Sequence, residues 1–163
     1  MSPKEAKAPI SAPRPTVEIS RDFDFPRETV FHMFTDAKKC AQFWGPRGAV
    51  KHLFELDPRP GGLLRIHDGD AERVIGKTTG TITEIVPPEL LAFRSATAVS
   101  DGAAPWEVLQ TLRFQALGAR RTRLTIQVQI LATGSWEGDE ASLGEGYKGG
   151  WGETLDMLRN HLH

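Results

Sequence analysis

The chain has 163 residues, 39% of them hydrophobic and 25% charged, which suits one domain with a buried core. Its 20 basic and 21 acidic side chains leave a formal net charge of −1, so no overall field draws nucleic acid or an anionic membrane. A single cysteine, Cys40, excludes an internal disulfide and a cysteine-rich metal site, and no apolar run reaches the ~18–20 residues of a membrane span.

Residues 1–15 hold four prolines among Ala, Ser and Lys, and are expected to form a disordered tail before one domain, 16–163. The N-terminus has no signal-peptide core, so a cytoplasmic address is expected. From Thr16, Val17, Ile19, Phe23 and Phe25 alternate with polar residues, as in a half-buried strand, with Arg21 on the apolar face. Pro26 ends that strand and suits the first turn of a helix whose apolar face is Val30, Phe31 and Phe34. Asp36 is placed to cap a second short helix, 37–43, which closes at Trp44-Gly45-Pro46.

Six more strands follow, at about 49–57, 62–68, 72–86, 89–97, 106–117 and 121–132, separated by Gly-, Pro- and Asp-rich turns. Short connections imply antiparallel pairing. Alternation turns Phe54, Leu56, Leu64, Ile66, Val74, Ile82, Leu91, Phe93, Val108, Leu112, Phe114, Leu124, Ile126, Val128 and Ile130 inward. The Arg120, Arg121 and Arg123 cluster falls at a turn and reads as a solvated one. At the end of the chain Leu143, Tyr147, Trp151, Leu155, Leu158 and Leu162, with Thr154, fall on one stripe at helical spacing over 143–162. Glycines at 144, 146, 149, 150 and 152 thin the first half of that helix, each costing about 0.5–1 kcal/mol relative to Ala. They also remove volume beside Tyr147 and Trp151; a loop through residue 150, with helix only afterwards, stays open. The expected class is α+β: one curved antiparallel sheet, two short helices after its first strand, and a long C-terminal helix on the concave face.

Several stretches resemble the activator-of-heat-shock-protein-90-ATPase-like family of the START/Bet v 1 (SRPBCC) superfamily. They are Val17-Glu-Ile-Ser-Arg-Asp-Phe-Asp-Phe-Pro-Arg-Glu-Thr-Val-Phe31, Phe34-Thr-Asp36, Phe43-Trp-Gly-Pro46 and Asp57-Pro-Arg-Pro-Gly-Gly62. Glu84-Ile-Val-Pro-Pro-Glu-Leu-Leu-Ala-Phe93, Gly150-Trp151 and Thr154-Leu155 complete the series, in order, over about 16–162. The resemblance implies a helix grip, a seven-stranded antiparallel sheet wrapped round the last helix, and a cavity for an apolar or aromatic small molecule. It implies no single reaction, so it bears on fold more than on function. Where the family commonly has a second Trp the chain has Phe43; where a Trp often follows the Pro-Pro-Glu strand it has Ser95; where Val is common it has Gln110. Ser95 enlarges the expected interior, and Gln110 places an amide in it.

Catalytic patterns are few. The histidines at 32, 52, 67, 161 and 163 have no metal-site spacing, so no metal and no cofactor are expected. Gly76-Lys77-Thr78 lacks the first glycine of a phosphate loop and sits within a strand. Cys40 reads as packing. Inward polar residues remain: Arg21, His52, Ser95, Gln110 and Thr154. Arg21 has the alternative of a strand-end ion pair, and a bulge would turn His52 outward. Ser95 and Gln110 have the alternative of bonding each other or a buried water.

With the apolar positions around them, these give a ligand site of Trp44, His52, Phe54, Ile66, Phe93, Ser95, Trp106, Gln110, Leu112, Tyr147, Trp151, Thr154 and Leu155. The first expectation is a non-enzymatic binding protein for one hydrophobic, ring-containing molecule. The second is an enzyme of the polyketide cyclase/aromatase type, with His52 or a mouth residue such as Asp68 as acid–base group. The third is a co-chaperone or regulatory partner, which needs an exposed apolar patch that the outward residues do not supply. Neither nucleic acid nor membrane is expected as a partner; a homodimer stays open.

Overall fold

In the computed structural model, residues 15–45, 47–100 and 102–162 are described. The expected tail therefore lies outside them, apart from Pro15. β1 (Val17–Phe23) leads into α1 (Arg27–Met33) and α2 (Ala37–Phe43). Then come β2 (Val50–Leu56), β3 (Leu63–Gly69), β4 (Val74–Val86), β5 (Leu90–Ala98), β6 (Trp106–Gly118) and β7 (Arg121–Ala132). The chain ends in α3 (Glu140–His161). All seven strands form one antiparallel sheet in the order β1-β7-β6-β5-β4-β3-β2. This is the helix-grip architecture expected above. No helix among the described residues is long and apolar enough to cross a membrane.

Element ends follow local chemistry. Asp36 caps α2, its carboxylate accepting the Lys38 and Lys39 N–H groups. The Asp70 carboxylate accepts from the N–H groups of Glu72 and Arg73, holding them in a turn, so β4 starts at Val74 rather than 72. β1 ends at Phe23, two residues early, where the Thr122 hydroxyl donates to Phe25 O at 2.7 Å.

The last helix begins earlier than its apolar stripe suggests. The Asp139 carboxylate accepts the Ser142 N–H at 2.9 Å and caps it, so it runs unbroken through the glycines and is no loop up to residue 150. Gly144 lets it settle on β1: a Cβ there would lie 2.7 Å from Thr16 Cγ2. Leu143, Trp151, Thr154, Leu155, Leu158 and Leu162 are all buried, and Tyr147 is half-buried.

The core lies between the sheet and α3. Rows of register-paired residues cross its inner face: Leu91, Leu112 and Ile126 in one, Phe93, Gln110 and Val128 in the next. At one end of the sheet α1 closes the core with Phe31 edge-on to Phe114 (centroids 5.1 Å) and Phe34 edge-on to Phe43 (5.2 Å). The arginines of the β6–β7 turn are less idle than expected, since Arg121 and Arg123 both reach the Asp22 carboxylate.

Candidate functional site

Toward the other end the rows become smaller and more polar. Leu64 faces Gly80, Gly80 faces Ser95, and Ser95 faces Val108; the next row runs Ile66, Thr78, Thr97, Trp106. Gly80 is obligatory, because a Cβ there would come within 2.9 Å of Ser95 Cβ and 2.6 Å of Arg94 O. With no side chain at Gly80 and a short one at Ser95, the sheet floor is hollow where α3 passes over it. The helix is equally thin there: a Cβ at Gly150 would meet nothing within 4 Å. The result is a cavity of about 380 Å³ between sheet and helix.

Of the residues expected at a ligand site, Trp44, Ile66, Phe93, Ser95, Trp106, Gln110, Tyr147, Trp151 and Thr154 line this cavity. All four tryptophans of the chain do so, Trp136 being the one not foreseen. Trp44 is the hub of one wall, with ring centroids 5.3 Å from Trp151, 5.7 Å from Phe93 and 5.5 Å from Phe54. The opposite wall is hydrogen-bonded. Trp106 Nε1 donates to the Tyr147 hydroxyl at 3.0 Å, Trp136 packs edge-on to Trp106, and Trp136 Nε1 donates to Ser142 Oγ at 2.9 Å.

Two polar side chains tie the helix down. Thr154 Oγ1 accepts the Gly45 N–H and donates to Gly45 O, both at 3.0 Å, fastening the end of α2 to α3. Trp151 Nε1 donates to Gln110 Oε1 at 2.6 Å, deep between β6 and the helix. Gln110 is therefore bonded to Trp151, and not to Ser95.

Four expected site residues lie elsewhere. His52 is exposed: the register of β2 against β3 slips between Lys51 and Leu53, a bulge that turns His52 outward to pair with Asp70 O at 2.8 Å. Phe54 faces the right way but packs on Trp44, behind the cavity wall. Leu112 and Leu155 are completely buried in the core beneath the cavity. Arg21 also misses it, lying across Gly152 of α3 and donating to Ser20 O.

The same bulge brings Lys51 opposite Asp68, whose carboxylate lines the cavity. Burial pushes the Asp68 carboxyl above the usual carboxylate range, with Lys51 opposing. Burial lowers Lys51, with Asp68 opposing. Gly45 makes room for the ammonium, since a Cβ there would lie 2.6 Å from Lys51 Nζ. Burial also raises the Tyr147 phenol, against hydrogen bonds from Trp106 and Thr97. Cys40 is sealed in the core, its thiol raised by burial and donating to Met33 O.

Reasoning from sequence also passed over Leu64, Thr78, Thr97 and Leu143 as lining residues. Strand alternation puts Thr78 and Thr97 on the inner face, where they meet hydroxyl to hydroxyl at 2.8 Å, so that signal was present. Trp136, in a loop, had none. Among the described residues no three His, Cys, Asp or Glu gather into a group suited to a metal ion.

No curated protein sequence matches the chain. Among solved structures it resembles protein CV1439 from Chromobacterium violaceum, with TM-score 0.72 and 22% identity over 90% of this chain and 95% of that one. Protein NE0264 from Nitrosomonas europaea gives 0.71 and 20% over 88% and 91%, and the AHSA1 protein SPO3351 from Silicibacter pomeroyi 0.70 and 22% over 90% and 96%. At such identities the likeness is one of fold. The family model for "Activator of Hsp90 ATPase homolog 1-like protein" matches residues 24–163, nearly the whole domain. The chain is thus a member of the activator of Hsp90 ATPase homolog 1-like family, built as a helix grip.

Proposed function

We propose that the protein binds a small, largely apolar, ring-containing molecule in the cavity between sheet and α3. The observation that carries this reading is the cavity itself. It measures about 380 Å³, within the size range of small-molecule sites, and is walled by Trp44, Phe93, Trp106, Tyr147 and Trp151. Flat aromatic faces suit a flat ligand, and the few polar groups among them suit orienting it. Gly150→Leu tests this, because it puts a branched side chain into space that is open above the sheet. The fluorescent probe N-phenyl-1-naphthylamine should bind the wild type one to one and the variant at least about tenfold more weakly, at an undiminished melting temperature. Equal affinity for both proteins would place the probe outside the cavity and refute the reading.

One observation favours an acid–base enzyme of the polyketide cyclase/aromatase type as a second reading. Asp68 sits in the cavity wall with its carboxyl held above the usual range, as a general acid or base requires. His52, turned outward by the bulge, does not line the cavity. An enzyme of this kind loses turnover in Asp68→Asn while retaining ligand affinity.

A further inference from the structure

The amide of Gln110 is the most sharply defined polar group in the cavity. It is 5% exposed and lies on β6 beneath α3. An indole nitrogen only donates, so the atom 2.6 Å from Trp151 Nε1 has to be the carboxamide oxygen. The Gln110 amide therefore has one orientation, which packing alone would leave undecided. Its Nε2 makes no hydrogen bond with the described residues. Among their sealed-off side-chain polar atoms only Arg27 Nε lacks a partner, so Gln110 Nε2 is open to the cavity that Gln110 lines.

We infer that Gln110 is a specificity-determining residue which selects ligands carrying a hydrogen-bond acceptor, a carbonyl oxygen on or beside the ring. The inference rests on the binding reading above and narrows its ligand class to aromatic or alicyclic ketones, aldehydes, esters and quinones. The physical argument is one of satisfaction. A neutral amide N–H₂ walled by aromatic rings is poorly solvated, and a purely hydrocarbon ligand leaves it without a partner at a cost the carbonyl compound avoids. Ser95, also in the wall, does not impose this choice, because a hydroxyl rotates to donate or accept. Trp151 supplies both the lock on the amide and a ring face beside it, so a ring stacked there has its substituent close to Nε2.

The test compares two probes of one shape, 2-acetylnaphthalene and 2-isopropylnaphthalene, by quenching of the cavity tryptophans. In Gln110→Met, which keeps the length of the side chain, removes the donor and also leaves the Trp151 N–H without its acceptor, the ketone should lose roughly three- to tenfold in affinity. The hydrocarbon should lose nothing and should bind more tightly, since the variant has no amide N–H₂ for it to leave unpaired. A second measurement needs no variant: the infrared carbonyl stretch of 2-acetylnaphthalene bound to the wild type should lie below its frequency in hexane. An unshifted stretch, an unchanged ketone affinity, or equal losses for both probes would each overturn the assignment of Gln110 while leaving the cavity reading intact. Failure of both probes to bind the wild type would instead refute the binding reading, and this inference with it.

Discussion

Replacing Trp151 by Phe removes a single donor from the most buried hydrogen bond between sheet and helix. Trp151 and Gln110 are each 5% exposed, and their bond is 2.6 Å long. Losing the indole N–H leaves Gln110 Oε1 unpaired in a low-dielectric site, which costs about 1–3 kcal/mol. The smaller ring opens space beside Trp44 and Phe34, adding about 1 kcal/mol by the usual scaling of cost with void volume. The expected loss is about 2–4 kcal/mol, or roughly 5–15 °C in melting temperature for a domain of this size. Gln110→Leu alone should cost a comparable amount, because it orphans the indole N–H instead. The double variant orphans neither group, so its loss should fall short of the sum of the two by about 1–2 kcal/mol. Urea denaturation followed by far-ultraviolet circular dichroism measures all four proteins without relying on tryptophan fluorescence. Strict additivity would mean that the bond contributes nothing, and would remove the lock from which the orientation of Gln110 is argued.

Two further predictions follow from the glycines and from Asp68. Gly149→Ala should stabilise the domain by about 0.5–1 kcal/mol, since a Cβ there meets nothing within 4 Å. Gly144→Ala should destabilise it by about 1–3 kcal/mol, because its Cβ presses on Thr16 and Val17; gains for both in urea denaturation would contradict the close seat of α3 on β1. Asp68 is an acid raised on folding, first by burial, so its ionisation costs stability above its folded pKa and nothing below the ordinary value of 3.8. Asp68→Asn should therefore raise the melting temperature at about pH 7.5 and match the wild type at about pH 3. A variant that melts lower at neutral pH would show that attraction to Lys51 outweighs burial.

The fold could be read from the sequence because its rules are local. Alternation in β6 and β7 has one reading, and Asp36 caps α2 where the chain said it would. The site was less legible, for three reasons of different kinds. His52 failed because a bulge adds one residue to a strand without disturbing the hydrophobic pattern on either side, so periodicity alone cannot detect it. Leu112 and Leu155 failed because inward-facing is not the same as cavity-facing; their depth depends on how α3 crosses the sheet, which no single element encodes. Gly144 and Gly150 look alike in sequence, yet one lets the helix approach β1 and the other leaves open space. Asp68 follows Leu64 and Ile66 on the inner face of β3, as alternation requires, but the slip in β2 that set Lys51 opposite it could not be read.

The pairing of β1 with β7 bears on how the chain is assembled as it is made. Strands β2 to β7 each meet their partner within a hairpin, so that part of the sheet grows in the order of synthesis. β1 has no partner until β7 exists: Val17 waits for Val128, and Phe23 for Thr122. α3, which packs on β1 and β7, comes later still. Within the sheet, β1 is thus made before every other strand and is paired last. The strand that waits longest for its partner is the one most open to wrong ones, and the last two elements decide whether it is sheltered.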